Sequence, residues 1–200
     1  HVPTRSLGQP AEAECAVEFV QQACVVCVPD VLKIEFPVRG HTLALIAKDL
    51  SPRKIVNRDS IRNAMIVAMA VGGSTNVLLH GPEIARAAGF GSFTKDIMSP
   101  EEFNHLSQHV VPVLIDARPF GQYSMVDIDE KGGIQVIVKE LLEAGLLNGG
   151  AMTCTGETLS EQIARLDPPA PDGEVIYSVE KPFKPTGGLR VLGGNLSPEF

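Results

Sequence analysis

One polar segment carries residue types suited to binding a small anion. Residues 72–76 (GGSTN) join two predicted helices, and the two glycines allow a close backbone approach. Ser74, Thr75 and Asn76 then lie at a predicted helix N-terminus, where backbone N–H groups and hydroxyls favour a carboxylate or a phosphate. A turn with an ordinary helix cap has the same sequence, and the spacing alone favours this alternative. The three polar residues are therefore candidates for substrate binding, and the helix cap stays the alternative.

A second polar segment follows a short apolar run. Asp116 and Arg118 come directly after residues 110–115, which are typical of a strand buried on both faces. Ligands in open α/β sheets bind beyond the carboxyl ends of the strands, so both side chains are candidates for substrate binding. An internal ion pair between Asp116 and Arg118 explains the pattern equally well.

The possible metal ligands form weaker patterns. Only two valines separate Cys24 from Cys27, which favours core cysteines over a metal site. His105 and His109 are four residues apart on one predicted helix and could bind zinc in a hydrolase. The acidic residue of the metalloprotease pattern is missing between them. Residues 127–133 are predicted to form a solvated acidic turn, since the oxygen ligands of a calcium loop do not alternate there.

Composition and charge exclude several classes of protein. The chain has 200 residues, of which 44% are hydrophobic, and a formal net charge of −7 that disfavours nucleic-acid binding. No apolar run approaches the roughly 18 residues that a membrane helix needs. Four cysteines are too few for a disulfide scaffold, so we predict reduced thiols and a cytoplasmic location.

The periodic segments predict the α/β class, with layered helices around a mostly parallel sheet. Residues 24–28, 110–115 and 189–192 have the apolar character of strands. Gly81-Pro82 is expected to break one helix in two, and Asp59 or Ser60 is expected to cap another. The helices are predicted at residues 41–49, 61–71, 76–80, 82–88, 101–109, 133–144 and 155–166.

Four regions follow from these patterns. Residues 1–40 are an unplaced N-terminal segment that includes the predicted strand at 24–28, and residues 41–166 form the predicted part of an α/β domain. Several prolines mark residues 167–187 as a linker or an extended crossing segment. Residues 188–200 are predicted to be the first strand of a second, β-rich domain.

Six ordered blocks resemble one family. Asn63–Leu79 reads NAMIVAMAVGGSTNVLL and closely resembles a stretch of the dihydroxy-acid dehydratase and phosphogluconate dehydratase family. The resemblance covers about residues 41–198, and we therefore predict an internal fragment of such an enzyme. The other five blocks are residues 49–53, 111–121, 125–133, 153–159 and 187–198.

The resemblance implies a hydro-lyase (dehydratase). Such an enzyme converts a small 2,3-dihydroxy carboxylic acid, either a branched-chain amino-acid precursor or a sugar acid, into a 2-keto acid. It uses an iron–sulfur cluster as Lewis acid and Mg²⁺ to hold the substrate, and it is expected to be a homo-oligomer, a dimer or a tetramer. The family's C-D-K and C-G-G-M segments and its catalytic serine have no match here. We therefore expect no cluster ligand, Mg²⁺ ligand or base in this chain, and no activity from it alone. A non-catalytic α/β scaffold or interaction domain derived from the family is the alternative.

Overall fold

The computed structural model describes residues 38–118 and 121–195, with side chains from residue 43 onwards. The predicted strand at 24–28 and the cysteines at 15, 24 and 27 lie outside these ranges. Within them the chain is helix-rich. The helices are α1 (Val38–Ala47), α2 (Pro52–Ile55), α3 (Arg58–Ala70), α4 (Asn76–Ala88), α5 (Phe93–Asp96), α6 (Pro100–His105), a π-helix (Leu106–Val110), α7 (Met125–Glu130), α8 (Ile134–Glu143) and α9 (Leu159–Leu166).

Helix α3 lies at the centre of the core. Its residues from Ala64 to Ala70 are all buried, as expected of a helix that is apolar nearly all round. The capping residue differs from the prediction, because Asn57 and not Asp59 or Ser60 precedes the first helical turn. The Asn57 side chain accepts the Ser60 N–H, and the Ser60 hydroxyl accepts the Asn57 N–H, so the two residues form a reciprocal capping box.

Helix α4 runs without a break through Gly81-Pro82, so the predicted interruption is wrong. Pro82 removes one backbone donor from the helix interior. Val77, Gly81 and Ala85, spaced four residues apart, are all buried on one face of the helix. Burial of this continuous stripe offsets the loss of one hydrogen bond. The helix ends as predicted at Gly89, whose φ of 103° is left-handed.

The helix predicted for residues 101–109 has two parts. α6 begins after Ser99, whose hydroxyl accepts the Glu102 N–H at 3.1 Å, and it gives way to the π-helix at Leu106. The change of geometry coincides with the fully buried Ser107, whose hydroxyl donates to the Leu189 carbonyl. A π-helical turn is uncommon and often marks a functional region.

The predicted strand at 110–115 corresponds to a buried extended run, residues 111–117. Its backbone forms only isolated bridges, which join Val113 to Lys184, Ile115 to Ile176 and Ala117 to Tyr123. The mostly parallel sheet of the prediction is therefore not among the described residues. Pro182 and Pro185 flank the bridge at Lys184, and proline cannot donate to a ladder of hydrogen bonds.

Most of residues 167–187 is exposed or half-buried, but two of its side chains reach the core. Val175 and Ile176 are almost fully buried, and the Tyr177 N–H donates to the Leu114 carbonyl at 2.7 Å. The predicted strand at 189–192 has no ladder within the described ranges. Instead, the backbone of Val191 exchanges two hydrogen bonds with the Asn104 side chain.

Two further elements differ from their predicted form. The predicted acidic turn contains the short helix α7, which starts with a capping box between Ser124 and Asp127. α9 starts at Leu159, after the N-cap Thr158, and not at residue 155. None of the helices in the described part of the chain is long and apolar enough to cross a membrane.

Candidate functional site

The Gly72-Gly73 turn sits at the C-terminal end of α3, in contact with the Gly187-Gly188 pair. Gly72 has a left-handed φ of 60°, and the Gly188 N–H donates to the Met69 carbonyl at 3.3 Å. A Cβ on Gly188 would lie only 2.7 Å from the Gly72 Cα, so the two backbones touch. The glycines are therefore explained by close chain packing as well as by the turn.

Ser74, Thr75 and Asn76 are exposed at the start of α4. Thr75 is the N-cap residue, but its side chain caps no N–H group, so the simple helix-cap alternative is only partly realised. The Ser74 hydroxyl accepts the Asn76 N–H at 3.2 Å. These three residues present hydroxyls and an amide to solvent at the positive end of a 13-residue helix, where an anion is favoured.

Asp116 and Arg118 are joined through Gln122 and do not form an ion pair with each other. Asp116 is 4% exposed and accepts the Gln122 backbone N–H at 3.0 Å and its side-chain amide at 3.4 Å. The exposed Arg118 donates from Nε to the Gln122 carbonyl at 3.2 Å. A buried carboxylate thus braces the loop, while a guanidinium group faces solvent at its edge.

Gly121 makes this loop possible. A Cβ at this position would lie 2.0 Å from the Asp116 Oδ1 and 2.3 Å from the Asp116 carbonyl carbon. The sequence patterns did not identify Gln122 as the partner of Asp116 and Arg118. The adjacent Gly121, which permits the close approach, is the signal that could have identified it.

Charges around the loop are organised by hydrogen bonds. Hydrogen bonds from the Ser124 hydroxyl and, to a smaller extent, from the Ser124 N–H lower the pKa of Asp127 below its ordinary value. The charge of Arg118 acts in the same direction. The Tyr123 hydroxyl donates to a Glu174 carboxylate oxygen at 2.9 Å, and this bond raises the pKa of Tyr123. The Asp127 carboxylate therefore stays ionised in mildly acidic solution and acts on Arg118 as a nearby negative charge.

The two candidate segments, residues 72–76 and 116–118, begin close to each other in the structure. The Leu114 N–H donates to the Ala70 carbonyl at 2.8 Å, which fixes the extended run beside the end of α3. Each candidate segment begins two residues after this bond, at Gly72 and at Asp116. No hydrogen bond joins Ser74, Thr75 or Asn76 to Asp116 or Arg118 within the described ranges.

Possible metal ligands are sparse in the part of the chain that the structure describes. No group of three or more His, Cys, Asp or Glu side chains converges there to hold a metal ion. His105 and His109 come close to each other, with ring centroids 5.5 Å apart. Cys154 is half-buried and forms no disulfide bond among the described residues.

Comparison with known proteins decides the family. The family model described as "Dihydroxy-acid/6-phosphogluconate dehydratase N-terminal" matches residues 33–162, a range that contains both candidate segments. The chain belongs to this family. The resemblance found in the sequence is thereby confirmed.

Similarity to curated dehydratases supports this family assignment. The chain is 45% identical over 157 residues to a dihydroxy-acid dehydratase of Leifsonia xyli subsp. xyli (strain CTCB07), covering 78% of the chain and 27% of the relative. It is 43% identical over 155 residues to one of Acidothermus cellulolyticus (strain ATCC 43068 / DSM 8971 / 11B), covering 78% and 26%. The chain thus spans about a quarter of the length of these relatives.

Proposed function

We propose that this chain is part of a hydro-lyase that dehydrates a 2,3-dihydroxy carboxylic acid or sugar acid to a 2-keto acid. The observation that carries the proposal is the family match over residues 33–162, together with relatives named dihydroxy-acid dehydratase at 43–45% identity. The name of these relatives favours a dihydroxy acid as the substrate, and a branched-chain amino-acid precursor is proposed. We further propose a cytoplasmic homo-oligomer, and a layered α/β architecture for the longer protein.

The substrate carboxylate is proposed to bind at the start of α4. The hydroxyls of Ser74 and Thr75 and the amide of Asn76 are exposed there, and the helix dipole favours negative charge. Arg118 is the second proposed contact, because it is exposed at the edge of the neighbouring loop. Asp116 supports this contact by holding Gln122, which in turn accepts the Arg118 Nε–H.

The metal groups of the parent family do not fit the described residues. An iron–sulfur cluster needs several cysteine ligands and Mg²⁺ needs carboxylates, yet these residues supply no convergent set of three. We propose that the chain binds and orients substrate while other parts of the longer enzyme supply the chemistry. The chain alone is proposed to be inactive, because it spans only about a quarter of the length of its relatives.

A chimera tests this proposal. Residues 41–195 replace the matching segment of the Leifsonia xyli relative, and 2-keto acid formation is measured with a panel of 2,3-dihydroxy acids. The chimera is expected to be active. Arg118→Ala should lower kcat/KM at least about tenfold by removing a charged hydrogen bond, and Ser74→Ala should raise KM. Lys95→Ala, which changes an exposed cation on α5, is the matched control.

Two outcomes would contradict the proposal. A chimera that folds and assembles like the relative but forms no 2-keto acid would favour the non-catalytic scaffold. An active chimera in which Arg118→Ala and Lys95→Ala behave alike would remove Arg118 from the substrate contacts while leaving the hydro-lyase proposal intact.

A further inference from the structure

The imidazoles of His105 and His109 lie at a separation compatible with a shared metal ion. Both side chains are exposed, and their ring centroids are 5.5 Å apart with the ring planes inclined at 45°. Zinc holds each imidazole nitrogen at about 2.0–2.1 Å in tetrahedral geometry, so two imidazoles that share one ion have centroids roughly 5 Å apart. The observed separation lies close to this value.

Hydrogen bonds anchor the segment that carries the two rings. His105 ends α6 and His109 lies in the π-helix, so the pair spans the change of helical geometry. Between and beside them, Ser107 donates to the Leu189 carbonyl, and Asn104 exchanges two hydrogen bonds with Val191. A chelating pair held on an anchored segment loses little conformational freedom when it binds an ion.

The surroundings also suit a cation. Glu101 is exposed one turn before His105 on the same side of α6, and hydrogen bonds to its own backbone N–H and to Ser99 lower its pKa, so that it carries a negative charge. A third protein ligand does not converge with the two imidazoles among the described residues. Water would therefore complete the coordination, leaving positions open to an outside ligand.

We propose that His105 and His109 form a surface binding site for a divalent transition-metal ion of the kind that prefers imidazole, such as Zn²⁺. This site is separate from the proposed substrate contacts at residues 74–76 and 118. It depends on neither the iron–sulfur cluster nor the Mg²⁺ ion of the parent family.

Zn²⁺ alone, titrated into the full chain, tests the proposal. Nuclear magnetic resonance of the histidine side-chain nitrogens separates this site from any thiol that binds zinc. The signals of His105 and His109 should shift together along one titration curve that saturates at one Zn²⁺ per pair. His109→Ala should weaken zinc binding at His105 at least about tenfold, because the chelate is lost.

His80→Gln is the matched control, since it removes an imidazole from α4 and should leave the titration at His105 unchanged. Backbone amide spectra report whether each variant is folded. Independent shifts of the two signals, no shift at all, or an unchanged His105 titration in His109→Ala would each overturn the proposal.

Discussion

Asp172 holds a turn of the backbone through hydrogen bonds from its side chain. Its Oδ1 accepts the N–H groups of Glu174, Val175 and Ile176 at 2.9–3.2 Å, and its Oδ2 lies 3.2 Å from the Lys131 ammonium. This turn directs Val175 and Ile176 into the core. Burial opposes ionisation of the carboxyl, but the three backbone donors and Lys131 together lower the pKa of Asp172 to about 2.

The low pKa of Asp172 predicts an acid-dependent loss of stability. Because the folded-state pKa is below the ordinary 3.8, the carboxylate stabilises the fold above about pH 4, and this contribution is lost as pH falls towards about 2. Asp172→Asn should lower the free energy of unfolding by about 1–2 kcal/mol at pH 7, allowing for solvent screening. Urea denaturation at pH 7 and pH 2 measures the difference.

The stability difference between wild type and Asp172→Asn should nearly vanish at pH 2. Glu180→Gln, which neutralises an exposed carboxylate nearby, should change little at either pH. A difference that is as large at pH 2 as at pH 7 would show that Asp172 acts through its shape and not its charge.

Among the helices, α4 shows that burial of one face can keep a helix continuous through a proline. Pro82 lies in the interior of α4, yet the helix persists because one face is packed on the core. Pro82→Ala restores a backbone donor and removes the steric conflict, so it should stabilise the protein by about 1–3 kcal/mol. Thermal denaturation of the two proteins measures the change.

Pro52→Ala is the matched control for this substitution. Pro52 occupies the first turn of α2, where its missing N–H needs no partner within the helix. This variant should be neutral or slightly less stable, because the unfolded chain gains freedom. Equal stabilisation by both substitutions would contradict the explanation based on helix position.

Across the whole molecule, the segment after α9 belongs to the same core as α3. Val113, Leu114 and Asp116 exchange backbone hydrogen bonds with residues 175–184. Truncation after Asp167 removes these partners and the buried side chains of Val175 and Ile176. The lost burial alone corresponds to about 3–6 kcal/mol, so the truncated chain should lose cooperative unfolding.

Calorimetry and urea denaturation check the truncation. Leu192→Ala changes an apolar side chain that is 74% exposed in the same C-terminal part, and it should have little effect. A truncated chain that unfolds as cooperatively as the intact one would favour a free linker over a crossing segment.

The sequence by itself determined the family, most helices and the position of the candidate segments. Local signals sufficed for these features, because a cap such as Ser99 with Pro100 and the apolar stripe of α8 depend on neighbours a few residues away. The exposed residues Ser74 and Arg118 were also found this way, although their role in substrate binding stays a prediction.

Only the tertiary structure decided the remaining features, since they depend on residues far apart in the chain. Continuity of α4 through Pro82 depends on the surface it packs against, and the turn after α3 depends on Gly188, more than a hundred residues later. The pairing of Asp116 with Gln122 in place of Arg118 is an exception in range, since it spans only six residues, but it needed the loop to fold back at Gly121. Periodicity along a sequence carries no record of such contacts, because they arise only when distant segments share one core.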